Sequence, residues 1–91
     1  MIMVTEIEIS NEEVKQLEKT AKIINMDGEV CPYPQIVARE QIQKIENDVI
    51  IIETDHVMAT KAVPQSVIEY ISKYSVWKSG SGQYKIVLWK K

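Results

Sequence analysis

Hydrophobic and polar positions divide the chain into short segments with different periods. Apolar and polar side chains alternate over residues 2–9, and the segment 49–53 begins with four β-branched apolar side chains, residues 49–52. Alternation is typical of a half-buried strand, whereas an unbroken apolar run is typical of a strand buried on both faces. Residues 21–26 form another short apolar segment, which ends at Asp27-Gly28. All three segments are predicted to be strands.

Two other segments repeat their apolar residues every three or four positions, which is the spacing of one helix face. The first predicted helix follows residues 31–34 and ends near Ile45, and the second covers residues 59–74. Proline lacks the N–H that a helix interior needs, so the regular part of the second helix is expected to begin at Pro64. The apolar sides are Pro34, Ala38, Ile42 and Ile45 in the first helix and Val63, Val67, Ile71 and Tyr74 in the second.

The C-terminal segment predicts a hairpin. Strands over residues 76–78 and 84–89 are separated by the turn-forming residues 79–82. The core order is then β-α-β-α-β-β, and right-handed connections between parallel strands place both helices on one face of the sheet. The expected fold class is an α+β two-layer sandwich with a mixed four-stranded sheet, plus an N-terminal strand and helix.

The first residues predict an extension on this core. Ser10 and Glu13 have the spacing of a capping box, which favours a short helix over about residues 11–20. The apolar contacts of this helix would be Val14 and Leu17. We therefore expect an N-terminal extension over residues 1–20 and one domain over residues 21–91.

Composition narrows the class of protein. The chain has 91 residues, of which 45% are hydrophobic and 26% are charged, the balance of one soluble globular domain. Its net charge of −2 argues against a direct nucleic-acid partner. The longest apolar run, residues 49–52, is far shorter than the roughly 18 residues of a membrane helix, and no secretory signal is evident. A cytoplasmic protein without a membrane partner is expected.

Cys31 is the only cysteine, so neither an internal disulfide nor a two-cysteine redox motif can form within the chain. It precedes the first predicted helix, between Gly28 and the paired prolines Pro32 and Pro34. The positive end of a helix favours a thiolate, and two prolines stiffen the turn that carries it. A lone cysteine is also often a small buried hydrophobe. This pattern alone therefore leaves a reactive thiol and a buried one equally open.

The segment Gly28-Glu29-Val30-Cys31-Pro32-Tyr33-Pro34 resembles the strand–Gly-x-x-Cys-Pro-x-Pro–helix motif of the SirA/TusA/YedF family of sulfur carriers. The resemblance extends through most of residues 23–90, with Asp55 at a strand end and Val63-Pro64 where the family usually has Ile-Pro. Four positions depart from the family pattern: Asn25 stands in place of Asp, His56-Val57 in place of Asp-Pro, and Ala62 in place of a charged residue.

This resemblance implies a sulfur carrier, a sulfurtransferase only in the broad sense, that needs no cofactor. Cys31 would accept sulfur as a persulfide or thiosulfonate from a sulfurtransferase or rhodanese and relay it to an acceptor protein. Family routes lead to tRNA thiolation, molybdenum cofactor synthesis and sulfur oxidation. Gly28, Pro32 and Pro34 would support the start of the helix.

Four further side chains are candidates for a role beside the thiol. Tyr33 is the aromatic side chain expected at a partner contact, and Lys61 is a candidate contact for an anionic sulfur or a partner. Arg39 either belongs to a solvated helix face or docks acidic partners. His56 is either a plain turn residue or an aid to proton transfer. A single histidine without a Cys/His cluster predicts no metal site.

The open face of the predicted sheet, which lies opposite the two helices, has no covering element in the β-α-β-α-β-β core. Trp77 and Trp89 either pack on this face or form an interaction surface. Large apolar patches are usually covered, here first by residues 2–9 and second by another copy of the chain. We expect a monomer or a weak homodimer.

Two alternative functions remain open. The chain could be a non-catalytic interaction or regulatory module in which Cys31 only shapes the helix start. It could also be a single-thiol redox sensor that forms mixed disulfides. RNA binding is the weakest hypothesis, because the chain is acidic and lacks a basic aromatic sheet face.

Overall fold

A computed structural model describes residues 4–29, 33–46 and 48–91. The chain order is β1-α1-β2-α2-β3-α3-β4-β5. The strands are β1 (Thr5–Glu6), β2 (Lys22–Asn25), β3 (Val49–Thr54), β4 (Ile71–Lys78) and β5 (Tyr84–Lys90), and the helices are α1 (Asn11–Glu18), α2 (Tyr33–Lys44) and α3 (Ala59–Ser66).

The strands form one mixed sheet in the order β1-β4-β5-β3-β2. The pairs β1–β4 and β2–β3 are parallel, whereas β5 is antiparallel to both β3 and β4. Strands β1 to β4 therefore all end at one edge of the sheet, which we call the carboxyl edge. The expected mixed α+β class is confirmed. The sheet has five strands and not four because β1, from the predicted extension, adds to its outer end.

Helices α2 and α3 cover one face of the sheet, as predicted. Their buried side chains join alternate residues of β3 and β5 in one hydrophobic cluster. The cluster includes Ala38 and Ile42 of α2, Ala59 and Val63 of α3, Ile50 and Ile52 of β3, and Ile86 and Leu88 of β5. Pro34 is also buried, and Ile45 packs against the cluster, so the predicted apolar side of the first helix is confirmed.

The opposite face of the sheet carries a second cluster, formed by Val49, Ile51 and Val87. Residues of β3 thus enter both clusters, which confirms the prediction of a strand buried on both faces. The N-terminal residues cover this second face mainly through α1 and its flanks. Side chains that pack here are Ile9, Leu17, Ala21 and Trp89.

The placement of the extension differs in part from the expectation. Helix α1 has the predicted cap, because the Glu13 backbone N–H donates to the Ser10 side-chain oxygen at 3.3 Å. Ile9 packs on the open face, as expected of residues 2–9, but the predicted strand is wrong over most of the described part of that range. Only Thr5–Glu6 is a strand, and it pairs edge-on with β4. Trp77 donates to Asn11 at the start of α1, so it fastens α1 to β4.

The second predicted helix begins at Ala59 as predicted, but its extent is wrong, and so is the expectation that its regular part begins at Pro64. Helix α3 begins at Ala59 and ends at Ser66, so Pro64 lies near its end and not at its start. Proline has no N–H to continue the helical ladder, and the chain leaves the helix at Val67. The prediction had given residues 71–74 to this helix, but they belong to β4, where pairing with β5 overrides their helix-like apolar spacing.

The hairpin joining β4 and β5 confirms the turn prediction. The Ser79 N–H donates to the Gln83 carbonyl at 2.9 Å, and Gly82 adopts a φ of +81°. No helix in the described part of the chain is long and apolar enough to cross a membrane.

Candidate functional site at the carboxyl edge

The loops that follow β2 and β3 lie side by side at the carboxyl edge. Strands β2 and β3 are parallel, with Asn25 opposite Glu53 at their ends. Beyond the strands, the Gly28 backbone N–H donates to Oδ1 of Asp55 at 3.1 Å. This bond ties the loop that leads to Cys31 to the loop that leads to α3.

Gly28 sits in a tight turn directly after β2. The Glu29 N–H donates to the Met26 carbonyl at 3.1 Å, and Gly28 has a φ of +81°. A Cβ at Gly28 would meet no atom within 4 Å. Glycine is therefore favoured here by backbone conformation and not by crowding. The turn is anchored from inside by buried Met26, whose N–H donates to the Glu53 carbonyl at 2.7 Å.

Asn25 connects the acidic side chains of this edge. Its amide nitrogen lies 3.4 Å from both Asp27 Oδ2 and Glu53 Oε1, and its Oδ1 accepts the Asp27 N–H at 3.1 Å. Glu53 in turn lies 3.7 Å from the Lys85 ammonium, which also pairs with Glu18 of α1. The neutral amide of Asn25 can donate to two carboxylates at once, which an aspartate at this position could not do. The presence of Asn25 where the family usually has Asp therefore has a local physical reason.

Two of the predicted site residues, Cys31 and Pro32, lie outside the described residues. The described residues on either side place the elements that flank them: β2 ends at Asn25, and α2 begins at Tyr33. Tyr33 is 51% exposed, as a partner contact requires, while Pro34 is buried against the sheet. Helix α2 therefore starts two residues beyond Cys31 in the chain.

Arg39 is engaged within the protein. Its Nη1 donates to the Ser66 carbonyl at 2.9 Å and lies 3.8 Å from Glu69 Oε1. The guanidinium carbon lies 5.4 Å from the centre of the Tyr70 ring. These contacts join α2 to the end of α3 and the turn beyond it, away from the loops at the carboxyl edge.

Lys61 lies in the first turn of α3 and lines a groove of about 440 Å³ together with Glu6, Tyr74 and Lys78. Burial, and secondarily the charge of Glu6, raises the pKa of Tyr74 above its ordinary value. The structure thus brings Lys61 to the carboxyl edge, on its β4 side, and separates it from Arg39.

His56 is held as a turn residue between β3 and α3. Its backbone N–H donates to the Thr54 hydroxyl at 3.1 Å, and its carbonyl accepts the Ala59 N–H at 3.1 Å. No group of three His, Cys, Asp or Glu side chains within the described ranges is arranged to hold a metal ion.

Sequence reasoning missed three exposed apolar side chains at this edge. Val57 and Met58 follow β3 and are 53% and 60% exposed, and Ile36 in the first turn of α2 is 49% exposed. An apolar pair in the connection between a strand and a helix is a signal that could have found the first two. Tyr33 and Ile36 lie in the first turn of α2, Val57 and Met58 directly precede α3, and both helices begin at the carboxyl edge. We call these four exposed side chains the edge patch (Tyr33, Ile36, Val57 and Met58).

The fold is shared with a solved protein. A SirA-like protein from Desulfitobacterium hafniense superposes with a TM-score of 0.64 over 74% of this chain and 93% of that chain, at 17% sequence identity. No protein-family model and no curated protein matches the sequence. At this level of identity the similarity shows that the chain has the mixed α+β fold of that SirA-like protein.

Proposed function

We propose that the chain is a sulfur carrier of the SirA/TusA type and that Cys31 carries the sulfur. The observation that supports this most strongly is a Gly-x-x-Cys-Pro-x-Pro motif between β2 and α2 of a fold shared with a SirA-like protein. The Gly28 turn and its bond to Asp55 support the proposal further, since they brace the chain three residues before the cysteine.

The proposed transfer needs no external oxidant or reductant. The Cys31 thiolate attacks the outer sulfur of a persulfide on a donor protein. The donor S–S bond breaks as a new S–S bond forms at Cys31, and the donor leaves as a thiolate that takes up a proton. Cys31 then holds a persulfide, and an acceptor protein removes its outer sulfur by the same exchange. Acceptor routes for such a carrier include tRNA thiolation, molybdenum cofactor synthesis and sulfur oxidation.

The local charges act on the thiol in opposite directions. Cys31 precedes α2 by two residues in the sequence, and the positive end of a helix favours a thiolate. Asp27 and Glu29 precede Cys31 by four and two residues, and negative charges this close in the chain disfavour a further anion. In this proposal, removing either carboxylate makes the thiol more reactive.

Intact-mass spectrometry after incubation with a persulfidated donor, such as a rhodanese loaded from thiosulfate, tests the proposal. We expect the gain of one sulfur atom, lost again on reduction, and no gain in Cys31→Ser. Met26→Leu, a substitution near the loop that keeps the thiol, should load normally. Loading of Cys31→Ser to the same extent would contradict the proposal.

Sulfur loading, peroxide treatment and partner binding, each measured on the parent chain and on Cys31→Ser, separate the carrier from the two alternative functions. A redox sensor would gain oxygen or form a mixed disulfide under peroxide but would not accumulate added sulfur. A regulatory module would keep its partner binding in Cys31→Ser. Sulfur gained at Cys31 and passed to a second protein is expected only of a carrier.

A further inference from the structure

Most of the large apolar side chains that are exposed among the described residues belong to segments at the carboxyl edge. Six large hydrophobic residues are markedly exposed, and four of them form the edge patch. The other two, Ile23 and Ile68, lie on β2 and in the turn after α3. Contiguous exposed apolar surface usually marks a site of interaction.

The edge patch is held in place by the backbone beneath it. The Thr60 hydroxyl donates to the Val57 carbonyl at 2.6 Å, and the Ala62 N–H donates to the Met58 carbonyl at 3.0 Å. The bond from Gly28 to Asp55 joins this loop to the one before α2. Val57 and Met58 are thus held by hydrogen bonds to α3, and Tyr33 and Ile36 lie in the first turn of α2, so binding to these four residues requires little ordering of them.

Three carboxylates lie in the loops that follow β2 and β3, close in sequence to the patch residues. Asp27, Glu29 and Asp55 are all exposed, and none forms an ion pair with another described residue. Their polar contacts within the described residues are to the neutral groups of Asn25 and Gly28. We call these three carboxylates the acidic rim. Of the two cations considered for this edge, Arg39 is paired with Glu69 and bonded to Ser66, and Lys61 lies on the opposite, β4 side of the edge beside Glu6.

We propose that the edge patch and acidic rim dock a protein whose contact surface is apolar at its centre and basic at its border. This inference rests on the proposed function, because such a protein would be the donor or the acceptor of the sulfur. A partner with a basic border is the opposite of the acidic partner considered as one of the two alternatives for Arg39. Complementary charge at a rim chiefly steers the encounter and selects the partner, while the apolar centre supplies contact area.

Two peptides with the same apolar residues serve as probes: Lys-Leu-Trp-Lys-Leu-Arg and its charge-inverted counterpart Glu-Leu-Trp-Glu-Leu-Asp. Each is titrated into the ¹⁵N-labelled full chain. We expect the basic peptide to shift the amides of Ile36, Val57 and Met58 and to bind more weakly as salt is added. Stronger binding of the acidic peptide, or shifts confined to another surface, would overturn the proposal, as would the absence of shifts.

Matched variants test the contribution of the rim. The double change Asp27→Asn and Glu29→Gln should weaken binding of the basic peptide severalfold. The control change Glu12→Gln and Glu40→Gln removes two exposed carboxylates from α1 and from the solvent side of α2, and should leave binding unchanged. Equal weakening by both pairs would mean that only net charge matters and would contradict a defined docking surface.

Loading of Cys31 from a small persulfide donor needs no docking, so it distinguishes the two proposals. Normal loading without peptide binding would overturn the docking surface and leave the carrier proposal intact. Peptide binding at the patch without loading would overturn the carrier proposal and leave the docking surface intact.

Discussion

The backbone N–H of Gly28 points at the carboxylate of Asp55, 3.1 Å away, across the ends of two parallel strands. One residue ends the tight turn after β2, and the other begins the connection from β3 to α3. Together with the bond from the Met26 N–H to the Glu53 carbonyl, this hydrogen bond joins two loops that come from separate parts of the chain.

Replacing Asp55 tests that bond. Asp55→Ala should lower the free energy of unfolding by about 1 kcal/mol, since an exposed charge-assisted hydrogen bond is lost, and should speed hydrogen exchange at the Gly28 amide. Asp55→Asn retains the Oδ1 acceptor and should exchange nearly as slowly as the parent. Unchanged protection of Gly28 in the alanine variant would show that the bond is not formed in solution.

Gly28 and Gly82 form a matched pair for testing backbone strain. Both have a φ of +81°, and at neither would a Cβ meet an atom within 4 Å. Gly28→Ala and Gly82→Ala should each cost roughly 1 kcal/mol of stability, measured by chemical denaturation. Only the change at Gly28 should also slow sulfur loading. Equal loading in both variants would mean that the turn after β2 does not position the site.

Asn25→Asp should destabilise the protein at neutral pH. The new carboxylate would face Asp27 and Glu53 at the positions where the amide now donates. Added salt screens repulsion between charged groups, so the loss of stability should shrink as the ionic strength rises. Asn25→Ala, which removes the donor without adding charge, should lose the same stability at low and at high salt. A loss in Asn25→Asp that does not change with salt would argue against this network.

Tyr74 should ionise at a higher pH than an ordinary tyrosine. Burial, followed by the charge of Glu6, raises its pKa, so the folded state favours the neutral phenol. This contribution to stability is present below the ordinary tyrosine pKa of about 10 and is lost as the pH rises through the folded value. Ultraviolet titration, with Tyr74→Phe to assign the signal, checks the direction. Glu6→Gln should move the transition back only part of the way.

Reactivity of Cys31 should respond to the neighbouring carboxylates. Asp27→Asn combined with Glu29→Gln removes two negative charges close to the thiol in sequence, which should favour the thiolate and speed alkylation by iodoacetamide at pH 7. The carboxylate control Glu12→Gln should react at the parent rate. A slower reaction of the double variant would contradict the expected sign.

The spacing of apolar residues correctly predicted those elements in which buried side chains recur at one regular interval. The apolar side of α2 and the two-sided burial of β3 follow directly from residue spacing, as does the Ser10 cap. Ile71 and Tyr74 misled the prediction because they also enter or contact the core beneath α3, but from a strand. Their spacing could not show that pairing with β5 would begin at Ile71.

The candidate site was predictable to the same limited degree. A glycine before the cysteine motif indicated a sharp turn, and its positive φ fits that prediction. The partner of that turn, Asp55, lies 27 residues away, so only the parallel pairing of β2 and β3 brings it into contact. The exposure of Val57 and Met58 likewise depends on how the loop after β3 packs, which no local period encodes.

The most direct test of the central claim is peptide-level mass spectrometry of the chain purified without reductant and then exposed to a persulfide donor. We predict one added sulfur atom, located on the peptide that contains Cys31 and removed by dithiothreitol. A chain that stays unmodified under conditions that load a known carrier, or that holds the sulfur on any other residue, would contradict the claim.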